Sequence, residues 1–400
     1  MLKPIKEFFT IEIDYKNRIY GFDIMRAIGI LIVVYAHGRS MMQFFPAFNN
    51  FISVIGFWLM DLFFVLSGYL IGMILIKFYE KEKTFNLKTA YNFWIRRWFR
   101  TLPNYYLVLF VTAILWTISG RNMFVKPFFY THLLFLQTVT RPPGYFLMES
   151  WTLCIEEWFY FTFPVLFYVI TSLLKINKKK SFLYILIFYI IVCNLLKIYY
   201  YYYVFPNHNF GQWLNFREFV VLRIDTIAIG LLGAYVCYFY EDFWERNKYK
   251  FLPFGLVIYF GSIFFYWSWV NFLQGNEFAT FYHFTFYYLI SPVSIVLCLP
   301  YLKTIKFKNN FINHFVLYTS LISYSLFLFH LSLVMLILFA IYLGVIKHIT
   351  GTLALYAVTA LVYIIWLSLT FFLSNLFFNK VELPIMNKRR WIIEKLKLND

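Results

Sequence analysis

Long apolar stretches separated by short polar ones dominate this 400-residue chain. Apolar stretches of 18 residues or more are long enough to cross a membrane as helices. The pattern therefore predicts an all-α polytopic integral membrane protein with about ten transmembrane helices. Their predicted bounds are 22–44, 51–77, 101–119, 155–175, 181–203, 219–240, 252–272, 282–302, 322–346 and 352–377.

The remaining segments are too short or too polar to form a further domain. The apolar piece Phe128–Leu136 falls below spanning length, which predicts a re-entrant or interfacial segment. The polar N-terminus carries no apolar stretch before a small-residue cleavage site, so no cleaved signal peptide is predicted. We expect a cytoplasmic arm at 1–21, one transmembrane domain at 22–378 and a cytoplasmic tail at 379–400.

The distribution of lysine and arginine predicts the orientation. Of the 36 basic residues, 27 fall in the terminal and alternate loop segments on one side, six on the other, and three within spans. Such a bias marks the cytoplasmic side. Both termini are therefore predicted to be cytoplasmic. Orientation also explains most of the +17 net charge, so we expect the lipid bilayer, and not nucleic acid, as the partner.

Composition adds two exclusions. At 62% hydrophobic and 24% aromatic residues, the chain differs from an ordinary soluble domain. The four cysteines are scattered through apolar stretches without paired spacing, which predicts neither a disulfide framework nor a metal site.

Two ionisable residues in the first predicted span are the strongest functional signal. Arg26 and His37 lie eleven residues apart. Along a helix, eleven residues advance about 16 Å and return to within about 20° of the starting direction. Both side chains should therefore face the same groove. Ionisable groups at membrane depth are costly and commonly functional.

Further polar side chains fall within or beside predicted spans, and the predicted orientation gives each a depth. Arginines gather on the cytoplasmic side, whereas His37 and several carboxylates fall in the outer half. We expect His330 to lie in the inner half of the membrane, and Glu156 and Glu157 to enter the membrane from its outer face. This set consists of Asp61, Ser67, Arg97, Arg100, Glu156, Glu157, Arg223, Asp225 and His330.

Six motifs recur along the chain in a recognisable order: Gly21–Arg26 with His37, Phe63–Tyr69, Arg96-Arg97-x-x-Arg100 with Pro103, Trp151–Pro164 with Glu156-Glu157, Leu222–Gly230, and Ile322–His330. Together they resemble the membrane acyltransferase-3 family, in the family's order over roughly residues 18–385. Two departures are visible: the common Trp-Ser-Leu-Ser sequence reads Trp151-Thr152-Leu153-Cys154 here, and the aromatic content of 24% is unusually high.

The resemblance implies an acyl-CoA donor, most often acetyl-CoA, supplied from the cytosol. Arg26, Arg97 and Arg100 would then bind its phosphates through charge-assisted contacts. The alternative for the basic cluster is a topology anchor, a common use of juxtamembrane arginines. Asp23 lies three residues before Arg26 and should pair with it.

His37 is the candidate general base or nucleophile, because an imidazole titrates near neutral pH and can accept a hydroxyl proton. The alternative is a histidine that packs helices together. Direct transfer and an acyl-histidine intermediate both fit the sequence. Glu156 and Glu157 are the other catalytic candidates, and only one of them can face the cavity of His37 because they diverge by roughly 100°. Their alternative role is a helix N-terminal cap.

The remaining candidates are predicted to bind substrate or to support the site. Asp61 is expected to be a partner of Arg26 or a cavity wall, and Ser67 belongs to a small pair that suits close helix packing. One glutamate of the fourth span was expected to face Arg223. Trp151 could stack on a sugar ring, and His330 is a structural or channel residue. Asp225 completes this group.

Taken with the family resemblance, these features predict an acyltransferase of a bacterial inner membrane that acylates a hydroxyl of an envelope polysaccharide, such as the lipopolysaccharide O-antigen, or a lipid-linked glycan. Some family members carry an extracytoplasmic esterase-like domain, and here we expect any such partner to be a separate protein or unnecessary. The alternatives are a secondary transporter or flippase and a purely structural subunit. Intramembrane charges suit a transporter too, but no pseudo-symmetric halves are visible.

Overall fold

A computed structural model describes residues 18–39, 46–81, 85–124, 126–139, 144, 146–205, 207–208, 210–273 and 275–388. Within these ranges the regular structure is helical and no strand occurs. The protein is thus all-α, as the apolar pattern predicted.

Fifteen α-helices are formed by the described residues. They are α1 (Tyr20–Gly38), α2 (Pro46–Lys81), α3 (Leu87–Ile118), α4 (Pro127–Leu133), α5 (Trp151–Tyr168), α6 (Lys178–Tyr203), α7 (Phe210–Phe216), α8 (Val220–Phe239), α9 (Glu241–Phe272), α10 (Glu277–Phe284), α11 (Tyr287–Leu302), α12 (Phe311–Leu321), α13 (Ser323–Phe329), α14 (Leu336–Ile346) and α15 (Thr352–Phe377). A 3₁₀ turn precedes α5, and π-helical segments follow α5, α13 and α15, the second of them at His330–Met335.

In the part of the chain that the structure describes, nine helical segments are long and apolar enough to cross a membrane. A tenth crossing results if α10 and α11 are counted together, since they meet at a bend of 58°. The protein is a multi-pass membrane protein, and the prediction of about ten spans is confirmed.

The third span begins earlier than its apolar stretch. Helix α3 starts at Leu87, where the Asn86 side chain caps it by accepting from the Thr89 amide at 2.9 Å. The basic cluster, expected in a loop, therefore forms the first turns of a continuous 32-residue helix. Hydropathy detects only the apolar part of a helix, so it did not predict that the basic residues before position 101 are helical.

The short helix α4 and the turn after it pack along α5. The carbonyl oxygen of Phe135 accepts a hydrogen bond from the Trp158 indole at 2.7 Å and another from the Cys154 thiol at 2.8 Å. The segment before α5 therefore folds back beside the second turn of that helix. Helix α5 itself begins at Trp151, four residues before the predicted start.

Helices α2 and α8 cross at two glycines. A Cβ atom added to Gly68 would lie 2.1 Å from the Ile227 oxygen, and one added to Gly230 would lie 2.2 Å from the Val65 oxygen. Only glycine permits this approach of two backbones. The pair Ser67-Gly68 therefore has the close-packing role that small residues take in membrane helices.

Two buried ion pairs link this crossing to its neighbours. Asp61 on α2 pairs with Arg223 on α8, and Lys197 on α6 pairs with Asp225 on α8. All four side chains are at most 3% exposed. Two expected pairings are wrong: Asp61 with Arg26, and a glutamate of the fourth span with Arg223. Arg223 pairs with Asp61 instead, because α8 turns this side chain toward α2.

Candidate functional site

A first cavity, the arginine cavity, lies among α1, α2, α3, α5 and α13. It has a volume of about 170 Å³. Three predicted donor-binding arginines line it, together with a serine and one of the two glutamates. They are Arg26, Arg97, Arg100, Ser67 and Glu156. Four separate helices thus bring their functional candidates to one place.

Arg97 is held in a hydrogen-bonded network. Its guanidinium lies 3.0 Å from a Glu156 carboxylate oxygen and 2.8 Å from the Tyr160 hydroxyl. The same guanidinium lies over the Tyr160 ring, with its central carbon 4.3 Å from the centroid. Ser67 bonds the Tyr160 hydroxyl at 2.6 Å. Arg97 therefore has part of its charge neutralised and its position fixed.

Arg26 and Arg100 have longer or fewer polar contacts than Arg97. Arg26 lies 3.4 Å from Asp23 and 3.2 Å from the Ser320 hydroxyl, whereas Asp23 bonds Arg18 more closely. Arg100 is exposed and makes no hydrogen bond or ion pair with any described residue. The open charge of Arg100, with the weakly paired charge of Arg26 beside it, suits an anionic ligand.

Glu157 turns away from this cavity, as its separation from Glu156 along the helix requires. Its carboxylate accepts hydrogen bonds from the Trp98 indole at 3.1 Å and the Thr101 hydroxyl at 2.9 Å. These contacts join α5 to α3. Glu157 therefore has a structural role, since it holds α5 against α3.

A second cavity, the histidine cavity, lies at the far end of α1 from Arg26. Its volume is about 330 Å³. His37 lines it, and so do both charged residues of the turn before α8 and two side chains from the start of α5. These are Arg217, Glu218, Glu149 and Trp151.

His37 meets a second histidine. Its Nδ1 atom lies 2.7 Å from Nε2 of His330, which is fully buried. The expectation that these rings stand at different depths is wrong, because a direct contact requires the same level. The reason is that helical structure begins at Phe311 in α12, before the predicted start at residue 322, and Ser320 of α12 lies beside Arg26. His330 follows Ser320 by ten residues, much as His37 follows Arg26 by eleven.

Glu149, to which the sequence reasoning gave no role, is the buried carboxylate of the histidine cavity. The Ser332 hydroxyl donates to its Oε2 atom, while Oε1 is buried without a partner among the described residues. Glu156, expected in this outer position, lies instead in the arginine cavity. Glu149 lies in the 3₁₀ turn before α5, whereas Glu156 lies past the first turn of α5 and is therefore carried deeper along the helix.

The turn before α8 adds two charges to the histidine cavity. Arg217 and Glu218 lie 3.9 Å apart, and the Arg217 guanidinium lies 5.3 Å from the Trp151 ring centroid. Burial raises the pKa of Glu218 to about 7, although the Arg217 charge opposes the shift. This carboxyl therefore changes its charge near neutral pH.

The two cavities are adjacent. Met60 and Phe327 line both of them, and α1 runs along both with Arg26 at one and His37 at the other. The eleven-residue spacing places the two side chains about 16 Å apart along the helix axis. A narrow molecule that enters beside the arginines could extend to the histidine only past Met60 and Phe327.

The same combination of motifs matches a protein-family model. The model described as "Acyltransferase domain", of the acyltransferase-3 family, matches residues 19–374. This chain belongs to the acyltransferase-3 family. Both cavities of this acyltransferase-3 protein lie within the matched residues.

Named relatives agree with the family. This acyltransferase-3 protein is 27% identical over 390 residues to a Staphylococcus aureus (strain COL) protein named "Putative O-acetyltransferase", covering 92% of this chain and 58% of the relative. It is 30% identical over 171 residues to the "Peptidoglycan O-acetyltransferase OatA" of Listeria monocytogenes, which covers 39% of this chain and 25% of the relative. A Bacillus subtilis protein named "Putative peptidoglycan O-acetyltransferase YrhL" is 32% identical over 167 residues, covering 38% and 24%.

This acyltransferase-3 chain spans 58% of the length of the Staphylococcus aureus relatives that it matches. No solved structure matches it at a significant level.

Proposed function

We propose that this protein transfers an acyl group, most simply acetyl, from cytosolic acyl-CoA to a hydroxyl of an envelope glycan. The family membership and the O-acetyltransferase names of the relatives support acyl transfer to oxygen. The observation that carries the proposal is the line of two cavities along α1, one with three arginines that outnumber its single glutamate and the other with a histidine that bonds a second histidine.

The donor is assigned to the arginine cavity. Coenzyme A carries phosphate groups at one end and a thioester at the end of a narrow pantetheine chain. Arg100 and Arg26 would contact the phosphates, which suit guanidinium groups. The pantetheine chain would extend past Met60 and Phe327 and bring the thioester to His37.

The chemistry is a proton transfer coupled to acyl transfer. His37 accepts the proton of the acceptor hydroxyl as its oxygen attacks the thioester carbonyl carbon. A carbon–oxygen bond forms, the carbon–sulfur bond breaks, and the coenzyme A thiolate leaves with the proton that His37 received. An acyl-histidine route would use the same imidazole as nucleophile.

The acceptor is assigned to the histidine cavity. Trp151 offers an aromatic face, and Glu149 with Glu218 offers carboxylates that can accept hydrogen bonds from sugar hydroxyls. Two relatives carry peptidoglycan in their names, so peptidoglycan is the first acceptor to test and lipid-linked or lipopolysaccharide glycans are the next.

The test follows radiolabelled acetyl from acetyl-CoA into the glycan fraction of membranes that contain the protein. We expect His37→Ala to reduce incorporation to background while expression stays normal. The matched control is His348→Ala, because His348 is an exposed histidine just after α14, outside both cavities.

Two outcomes would reject the proposal. Wild-type membranes that transfer no label to any of the glycans would leave the secondary-transporter hypothesis as the next to examine. Label transfer that survives His37→Ala at the parental rate would remove His37 from the reaction.

A further inference from the structure

His330 occupies a position that determines how its neighbour can react. It is fully buried at the end of α13, and its Nε2 atom lies 2.7 Å from Nδ1 of His37. Two nitrogen atoms at this distance share one proton, so one ring donates and the other accepts.

The other ring nitrogen of His330 settles which ring donates. His330 Nδ1 lies 2.7 Å from the Phe327 carbonyl oxygen and 3.1 Å from the Leu326 carbonyl oxygen. A carbonyl oxygen can only accept, so His330 Nδ1 carries a proton. A neutral imidazole has one such proton, which leaves Nε2 of His330 as an acceptor.

The surroundings favour the neutral form of His330. The His37 ring beside it lines a cavity with two arginines, Arg39 and Arg217, while the Glu218 carboxylate of that cavity lies beside Arg217. No carboxylate forms an ion pair with His330 among the described residues. Glu149, the carboxylate on the same wall, is bonded by Ser332 instead. A second buried positive charge against His37 would therefore lack compensation.

We propose that His330 is a positioning residue that holds His37 in the tautomer with its proton on Nδ1. His37 Nδ1–H then donates to His330 Nε2, and His37 Nε2 carries the free lone pair. No described residue bonds His37 Nε2, and His37 lines the cavity assigned to the acceptor. The basic atom of the site is therefore Nε2. This inference rests on the proposed function, since it assigns the atom that takes the acceptor proton.

The backbone around His330 fixes the ring in place. The Trp366 indole donates to the His330 carbonyl oxygen at 2.9 Å, and Trp366 is fully buried. A π-helical segment starts at His330, and such segments are frequent at functional sites. A Cβ atom at Gly38 would lie 2.2 Å from the Trp366 ring, so glycine next to His37 is needed for this approach.

The same contact stabilises the protonated intermediate. When His37 Nε2 takes the acceptor proton, the imidazolium keeps its Nδ1–H bond to the neutral His330 acceptor. When Nε2 returns the proton to the leaving thiolate, the starting tautomer is restored. His330 itself neither gains nor loses a proton in the cycle.

The kinetic test compares two substitutions of His330 in the full chain. His330→Phe keeps a planar ring but removes the acceptor, and His330→Gln restores an acceptor through its amide oxygen. We expect His330→Phe to lower kcat by about 100-fold or more, with the acyl-CoA KM within about twofold of the parent. His330→Gln should recover at least about tenfold of the lost kcat.

Equal losses in the two variants, or a parental kcat in His330→Phe, would overturn the positioning role. A purely structural role would lower the amount of folded protein and the stability of both variants without separating their kcat values. Unfolding midpoints of the purified variants are measured alongside for this reason.

A second measurement does not depend on activity. The protein has seven histidines, and ¹⁵N labelling of their rings in bilayer samples reports which nitrogen carries the proton. The His37 signals are identified by their loss in His37→Ala. We expect a protonated Nδ1 and an unprotonated Nε2 at neutral pH.

The reverse pattern would refute the inference even in an active enzyme. Conversely, a protein that transfers no acyl group but shows the expected pattern would reject the proposed function and leave the tautomer assignment standing.

Discussion

At the scale of single residues, neighbouring arginines in one basic motif have different surroundings. Arg97 is bonded to Glu156 and Tyr160, whereas Arg100 makes no ion pair with any described residue. Arg96 lies outside the arginine cavity, and its Nε atom bonds the Asn92 side chain at 2.7 Å. The three arginines of one motif therefore differ: Arg97 belongs to a network, Arg100 is an open cation, and Arg96 bonds a side chain of its own helix.

This division predicts a difference in donor binding. We expect Arg100→Gln to raise the acyl-CoA KM by about tenfold, because a charge-assisted contact to a phosphate is worth about 1.5–3 kcal/mol. The kcat should change little, since Arg100 is remote from His37. Initial rates at varied acyl-CoA concentration give both constants.

The matched control is Arg96→Gln, which removes the same charge one turn away. Its KM should equal that of the parent. An equal rise in both variants would mean that the motif acts only through its general charge, as a topology anchor does.

Arg97→Gln should behave differently from Arg100→Gln, because it leaves the partly buried Glu156 without its cation. A carboxylate that loses its only ion-pair partner destabilises the folded protein. Its effect should therefore appear in stability as well as in activity.

At the scale of secondary-structure elements, the contact between α2 and α8 determines how the arginine cavity is built. Backbone atoms of each helix lie where a Cβ atom of the other would be, at Gly68 and Gly230. Ser67, next to this contact, reaches the Tyr160 hydroxyl and through it Arg97. Separation of the two helices would therefore disturb the cavity as well as the packing.

We expect Gly230→Ala to destabilise the protein by about 1–3 kcal/mol, since an added methyl group must push apart two rigid backbones. Its thermal unfolding midpoint in detergent should fall below that of the parent. Gly261→Ala is the control, because nothing lies within 4 Å of a Cβ atom there and alanine favours a helix.

An unchanged midpoint for Gly230→Ala would show that the α2–α8 crossing adapts to a methyl group. A fall in both variants would indicate that the measurement reports a general sensitivity of the helices to substitution.

At the scale of the whole molecule, orientation decides which cavity meets which substrate. The excess of lysine and arginine on one side predicts cytoplasmic termini. With that orientation the arginine cavity lies toward the cytosol, where the proposed acyl-CoA donor is, and the histidine cavity lies toward the outside, where the proposed acceptor is. The reverse orientation would exchange the two and contradict the proposed function.

Paired reporter fusions test this orientation. A fluorescent protein that matures only in the cytosol should fluoresce when fused after Asp400. A phosphatase that is active only outside should be active when fused after Gly275, in the turn between α9 and α10. Phosphatase activity at the C-terminus would overturn the assignment of substrates to cavities.

Much of the site could be predicted from the sequence, because several of its residues lie on the same helix and their spacing fixes their relative directions. Arg26 and His37 share α1, and their helical phase follows from counting residues. The divergence of Glu156 and Glu157 follows in the same way, and each glutamate indeed contacts a different set of residues.

Pairing between helices could not be predicted in this way. Asp61 pairs with Arg223, Glu156 with Arg97, and His37 with His330. Each of these pairs depends on the rotation and relative shift of two helices. Glu149 and Trp366 carry no distinguishing local pattern, so their places beside the site appear only in the folded chain.

The sequence by itself determined that this is a helical, multi-pass membrane protein, because length and apolarity of a segment decide whether it can satisfy its backbone in lipid. It also determined which residues share a helix face. Only the tertiary structure decided which face meets which neighbour, because glycine contacts, a folded-back segment and the contact of α12 with α1 set the depth and rotation of these helices.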